Sequence, residues 1–265
     1  MRFAKSGLPM TAKGIGRVCE MLDIGEAEIW AVLTVETSGF GFLADRRPRI
    51  LYERHIFSRR TDRTHDAKHA AVSSRTPGGY IGGGAEYDRL KEAAKLDEEE
   101  ALKSASWGLP QVMGFNHRVV GFDTVEAMVD AMVESEDRHL EALGQFIMGN
   151  PKCRIGIQRR DWGTFAACYN GPDFRRNDYD NRLAAAYEKN KRSLPDIGLR
   201  AAQVALTYLG YNPGPVDGLR GRRTRGALVE LQTRHDLPPT GELDEDTEQA
   251  LLAEAFPDDA AKLVG

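Results

Sequence analysis

The sequence predicts a mainly α fold with a small β excursion in its first third, followed by a small, all-helical C-terminal unit. Three observations carry this expectation. Apolar residues recur at i, i+3, i+4 and i+7 over most of the chain, the spacing of one buried helical stripe. Glycine and charge break that spacing between Ser38 and Arg49, just before "RILYERHIF". The stretch "RSLPDIG", with Pro195 and Gly198 in polar surroundings, then separates the tail from the rest. With 265 residues, 41% hydrophobic and 29% charged, the chain can build one large core and one small one.

The elements follow in order. "TAKGIGRVCEMLD" places Ile15, Val18, Cys19 and Leu22 on one face, with Thr11 as N-cap. A second helix carries Ile29, Val32, Leu33 and Glu36 along one stripe. A short strand is expected from Ile50, a loop at "RTPGGYIGGG", and helical spacing again through Tyr87, Leu90 and Ala94. Asp97 and Glu100 form a capping-box-like start for the next helix. Two helical blocks hold Val125, Met128, Val129 and Met132, then Leu140, Leu143 and Ile147; their methionines read as core filling. Asp161 caps a short helix through Trp162 and Phe165, and "DYDNRLAAAYEKNK" is the last helix of this part. The expected division is a larger domain over 1–192, a linker over 193–198 and a small helical domain over 199–265.

A net charge of −4 argues against attraction of the whole protein to nucleic acid or to a membrane surface. No apolar run reaches the length of a membrane span, and "MRFAKSGLPMTAKGIG" lacks an uninterrupted apolar segment. Synthesis and retention in the cytoplasm are therefore expected. Cys19, Cys153 and Cys168 are odd in number and lack C-x-x-C spacing, so they read as reduced, buried thiols. His65 and His69 stand at i, i+4 with no adjacent Glu and no third ligand, so no metal is expected; "RRTDRTHDAKH" reads as a solvated basic run. "GGYIGGG" lacks the Lys-Ser/Thr of a phosphate loop and reads as the rim of a cleft, with Tyr80 exposed on it. No cofactor is expected.

Glu36 is the residue that asks for chemistry. A carboxyl group on an apolar helical face has its charged form disfavoured by desolvation, so it keeps a proton near neutral pH and can serve as a general acid. Around it three stretches occur in order: "VETSGFG" at 35–41, "SWGLPQVMG" at 106–114 and "CYNGPD" at 168–173. This order resembles the lysozyme-like superfamily of goose-type lysozymes and lytic transglycosylases. "RRPRILYERHIF", "YDRLKEAAKLD" and "SASWGLPQVMGFNH" make the chain still more similar to the phage-type N-acetylmuramidases of modular endolysins, over roughly residues 10–190.

The resemblance implies a lysozyme-like α+β catalytic domain in which Glu36 donates a proton to the leaving oxygen of a glycosidic bond. A second carboxylate would be Asp45, with Glu53 as its rival; the transglycosylase branch does without one. Gln111 and Asn170 would line the groove with amides suited to sugar hydroxyls and acetamido groups. Tyr169 and Trp107 would offer flat faces to a sugar ring, a role they share with that of core anchor.

The tail resembles a three-helix peptidoglycan-binding domain through "AAQVALTYLGY", "VDGLRGRRTRGALVELQ" and "LPPTGELDEDT". Asp217 and Gly218 would form a tight turn, Thr224 would cap the next helix, and Arg220 and Arg222 would meet muropeptide carboxylates. Together these resemblances imply an endolysin that hydrolyses the β-1,4 bond between N-acetylmuramic acid and N-acetylglucosamine. The alternatives are a transglycosylase giving 1,6-anhydro products and an inactive wall-binding protein. Peptidoglycan glycan strands would be the partner of a monomer that inserts in no membrane and reaches the wall through a holin or another lesion.

Overall fold

A computed structural model of the chain describes residues 3–37, 39–171 and 173–263. Ser38 and Pro172, which fall inside two of the sequence motifs, lie outside the described residues.

The first helices stand where the apolar stripes put them. Helix α1 (Ala12–Leu22) is capped by Thr11, whose hydroxyl accepts the Gly14 N–H at 3.0 Å. Helix α2 (Glu26–Glu36) is buried from Glu28 to Leu33, almost all the way round, so it is the central helix of its layer rather than a surface one. The chain then forms strand β1 (Ile50–Tyr52) and, unlike the sequence expectation of strand alone, turns straight into helix α3 (Arg54–Arg60). Helices α4 (Glu86–Ala94) and α5 (Glu98–Lys103) follow, the latter capped by Asp97.

Strands β2 (Ala105–Trp107) and β3 (Val112–Met113) complete an antiparallel sheet in the order β1-β2-β3, with Ile50 opposite Trp107 and Trp107 opposite Val112. The sequence reading assigns no strand to either stretch. At three and two residues they are too short to show a period of two in sequence.

Helices α6 (Val125–Met132), α7 (Glu136–Met148), α8 (Pro151–Arg159), α9 (Trp162–Tyr169) and α10 (Tyr179–Asn190) close the larger unit. One core lies around α2, where Val18, Ile29, Val32, Leu143, Phe165 and Leu183 meet. A second lies under the sheet, around Tyr52, Tyr87, Leu102, Trp107 and Met132.

The C-terminal unit is three helices: α11 (Ile197–Tyr208), α12 (Arg222–Arg234) and α13 (Glu245–Ala255). Asp196 caps α11 by accepting the Leu199 N–H at 2.9 Å, so that helix takes in the last two residues of the stretch expected as linker. Thr224 is not the cap of α12, as the sequence suggested. Gly221 holds that position, and Thr224 sits inside the first turn, 3% exposed, donating its hydroxyl to Pro213 O at 2.8 Å. Phe40 and Phe42, from the segment after α2, pack into the core of this unit with Leu206, Leu231 and Leu251. Among the described residues no helix is long and apolar enough to cross a membrane.

The expectation of three reduced thiols is corrected. Cys153 and Cys168 form a disulfide between α8 and α9, with Cα atoms 5.4 Å apart. The pairing depends on how closely these helices approach: a Cβ on Gly156 would lie 2.8 Å from the Phe165 N, so only glycine admits the crossing. Spacing alone does not reveal such a contact. Cys19 remains free, and burial, with Glu26 and Glu28 nearby, pushes its thiol up to about 11. The disulfide closes a loop over a separation of 15 residues, for which the chain-entropy relation gives about 3 kcal/mol. Urea unfolding with and without dithiothreitol is expected to differ by roughly that amount, and Cys153→Ser should remove the difference.

Candidate active site

Glu36 occupies the last position of α2, and Thr37 turns the chain into an extended course. The two hydroxyls beside it are spent on the helix itself: Thr34 donates to Trp30 O and Thr37 to Leu33 O, both at 2.6 Å. Glu36 Oε2 accepts the Asn170 amide Nδ2 at 2.6 Å. Its Oε1 and the Asn170 Oδ1 are both buried and have no hydrogen-bond partner among the described residues. Two convergent polar atoms, kept dry and unpaired, are an arrangement that protein stability alone does not favour. Burial pushes the Glu36 carboxyl above the ordinary glutamate range, while the Asn170 bond and the Arg182 charge act the other way.

Asn170 follows Tyr169 at the end of α9. The Tyr169 ring stacks on Phe165 with centroids 5.5 Å apart, and its hydroxyl donates to Pro110 O at 3.3 Å. That bond ties the Asn170 end of α9 to the β2–β3 turn, where Gln111 sits. Gln111 has a φ of +51°, the left-handed region that favours glycine. Its side chain is fully committed: Oε1 accepts the Ser106 hydroxyl at 2.8 Å, and Nε2 donates to Gly108 O at 2.7 Å and to Arg49 O at 3.2 Å. A cavity of about 240 Å³ opens between Gln111, Met113, Asn116, Phe146 and Tyr169. The structure thus links Glu36, Asn170, Tyr169 and Gln111 into one constellation.

Other sequence candidates sit elsewhere. Trp107 is corrected from sugar platform to core: it is 0% exposed, and its indole N–H donates to Leu102 O at 3.1 Å. Asp45 lies at the tip of the turn between Phe42 and Pro48, bonded to the Arg47 Nε at 2.8 Å. Burial acts upward on its carboxyl, but the bonds and charge of Arg47 hold it below the ordinary aspartate range. The same turn sends Arg46 into the C-terminal unit, where it donates to Ala255 O at 2.5 Å and covers the Tyr208 ring. The Asp45 charge is felt at Tyr87 and Tyr208, not at Glu36.

Glu53 caps the short path from β1 to α3. Both its carboxylate oxygens accept the Tyr80 hydroxyl, at 3.0 and 2.8 Å, and His55 Nδ1 lies 3.1 Å away. Tyr80 is 46% exposed, on the glycine-rich loop. His65 stacks on Phe57 and meets His69 edge-on, while Asp66 accepts the hydroxyls of Ser58 and Ser73. This pins the basic run against α3 without a third metal ligand among the described residues.

In the C-terminal unit a cavity of about 350 Å³ is lined by Arg220, Arg222 and Arg225, with Thr224 in its floor. Arg220 is paired with Glu242. Asp217 does not face this cavity. Its Oδ1 accepts the Leu219 N–H at 2.9 Å within the turn, and the residue lines a second cavity of about 330 Å³ against Trp30, Leu33, Thr34 and Thr37 of α2.

Four functional candidates escaped the sequence reading: Arg182, which donates to Val35 O at 3.4 Å, and the buried group of Glu136, His139 and Arg200. Burial lowers the His139 pKa; its Nδ1 accepts the Leu109 N–H at 3.1 Å, so the proton is on Nε2, which donates to Met132 O at 2.7 Å. Glu136 and His139 stand at i, i+3 on the apolar face of α7, the one sequence signal that could have marked them.

Comparison with known proteins places both units in families. Residues 25–191 match the N-acetylmuramidase family model, and residues 197–251 match a peptidoglycan binding domain. Among solved structures, the chain is similar to a Burkholderia AP3 phage endolysin, with a TM-score of 0.67 and 37% identity, covering 69% of this chain and 72% of that one. A curated Nostoc punctiforme (strain ATCC 29133 / PCC 73102) protein, described as the OxPP cycle protein OpcA, is 28% identical over 125 residues, 41% of this chain and 26% of that relative. The chain thus spans about a quarter of the length of that relative. The chain therefore belongs to the N-acetylmuramidase family of lysozyme-type glycoside hydrolases, and carries a peptidoglycan-binding domain behind the matched region.

Proposed function

We propose that the protein is an endolysin that hydrolyses the β-1,4 bond between N-acetylmuramic acid and N-acetylglucosamine, with Glu36 as general acid. The observation that carries this reading is the desolvated Glu36 carboxyl, with one oxygen held by Asn170 and the other unpaired. A carboxylic acid so placed retains its proton until the leaving oxygen takes it. Asn170 fixes the rotamer. The open Glu36 Oε1 and Asn170 Oδ1 are the atoms an incoming sugar could bond without displacing a partner, while Tyr169 and Gln111, already bonded, would shape the space beside them.

For the second carboxylate the geometry favours Glu53 over Asp45. Ile50 and Tyr52 face the core, so Glu53 continues the opposite face of the sheet, the face of Leu51 and its partner Ser106, whose hydroxyl holds Gln111. Its side chain is 16% exposed and has no arginine on it, whereas that of Asp45 is 52% exposed and neutralised by Arg47. A transglycosylase has one observation on its side: among the described residues no second carboxylate, Glu53 included, acts on the Glu36 charge. The peptidoglycan-binding domain would hold the enzyme on polymer as a monomer. It would be made in the cytoplasm and reach the wall through a membrane lesion such as a holin provides.

Glu36→Gln is expected to lower the rate of sacculus clearing by about two to four orders of magnitude while leaving sacculus binding intact. Undiminished clearing would overturn the assignment. Mass spectra of the products should carry one added water at the reducing end; anhydro ends alone would establish the transglycosylase. Glu53→Gln should reduce clearing far more than Asp45→Asn, and the reverse ranking would reassign the second acid.

The pH profile follows from the same groups. Glu36 must be protonated to act, so activity falls as pH rises through its raised pKa. Arg182→Gln removes a charge that favours the ionised form and should move this alkaline limb to higher pH. Because the pKa is raised in the folded state, the stability linked to it is present at low pH and lost as pH rises through that value. Thermal melts of Glu36→Gln are therefore expected to exceed wild type at pH 8 and to converge with it at acid pH.

A further inference from the structure

The first helix of the C-terminal unit enters the larger unit at one side chain. Arg200 is 1% exposed and Glu136 0% exposed; Nη1 donates to Glu136 Oε2 at 2.5 Å and Nη2 to Oε1 at 2.8 Å. Burial acts upward on the Glu136 carboxyl, yet the Arg200 charge holds it ionised, below the ordinary range. The pair does more than join two helices. Arg200 Nη2 also donates to Gly39 O at 2.6 Å, and Glu136 accepts the N–H groups of Gly41 at 2.9 Å and Met10 at 3.1 Å. Its backbone partners at 39 and 41 are the chain that leaves α2 directly after Glu36.

That exit needs an outside hold. Thr37 makes no backbone capping bond at the end of α2, so the last turn, which carries Glu36, is fixed by the Thr37 hydroxyl, by Asn170 and by the direction in which the chain departs. The C-terminal unit constrains that direction twice. Besides Arg200, Val216 O lies 3.1 Å from where a Cβ on Gly39 would stand, and Gly39 has a φ of +84°.

A buried ion pair is weak evidence for stability, because an apolar pair of the same volume often replaces it without loss. Its charged hydrogen bonds to backbone are what an apolar pair cannot supply.

We propose that Arg200 is a positioning residue for Glu36: through Glu136 and the backbone at 39–41, the peptidoglycan-binding unit sets the end of the catalytic helix and is part of the catalytic machinery as well as its anchor. This rests on the assignment of Glu36 as general acid.

The test uses the full chain and two readouts: kcat on short soluble peptidoglycan fragments, for which anchoring is irrelevant, and pull-down on sacculi. Arg200→Gln and Glu136→Gln are each expected to lower kcat about tenfold or more, with KM and pull-down little changed. The paired variant Glu136→Met with Arg200→Met is expected to recover the thermal midpoint and not kcat. Arg46→Gln, which loosens the same junction without touching 39–41, should keep kcat.

Recovery of kcat along with the midpoint would overturn the proposal, as would loss of pull-down alone in the Arg200 variant. Failure of the paired variant to fold would also overturn it, because the pair would then serve folding rather than placement. Glu36→Gln is measured in parallel: if it retains activity, the acid assignment fails; if it is inactive while the Arg200 variants are not, only the positioning role fails.

Discussion

The structure is organised around a single unfavourable act of burial. A carboxyl group at the end of a helix buried from Glu28 to Leu33 is held away from water, with one oxygen bonded to an amide and one left open. Every neighbouring feature either tolerates this or enforces it. The core around α2 keeps the helix dry, the stacked Tyr169 and Phe165 fix the amide that touches Glu36, and the Arg182 charge does not cancel the desolvation.

The two units share this arrangement more closely than a tethered pair would. Phe40 and Phe42 leave the catalytic helix and bury themselves among C-terminal leucines, and Arg46 lies over Tyr208 and Phe256 on the far side of the same turn. The segment four to ten residues after Glu36 is thereby drawn to the peptidoglycan-binding domain. This also explains Asp45. Its turn is shaped by the docking of Arg46, and its charge is answered by Arg47.

How much of this was legible in the sequence depended on whether the signal was local. Glu36 could be found because a helical stripe of Ile29, Val32 and Leu33 leads to it, and its Asn170 and Tyr169 partners because they fall in a recognisable order of motifs. Caps at Thr11, Asp97 and Asp161 were equally readable, since each bonds an N–H three residues on. What escaped was set by distant contacts. Cys153 meets Cys168 only because Gly156 lets α9 close on α8; Arg200 meets Glu136 across a separation of 64 residues; and Trp107 looks like any exposed aromatic until the sheet folds over it. The β2–β3 hairpin is too short to carry a periodic signature, and Thr224, which has the right chemistry for a cap, lost the position to Gly221 when its hydroxyl turned inward to Pro213.

The backbone at Gln111 has a consequence of its own. A left-handed residue with a side chain is a conformation that glycine would adopt at lower cost, so the hairpin stores strain where its amide bridges Ser106, Gly108 and Arg49. Glycine at 111 would relax the backbone and remove all three of those bonds together, so hardening the protein by relaxing its turns would here untie the hairpin from Ser106, Gly108 and Arg49.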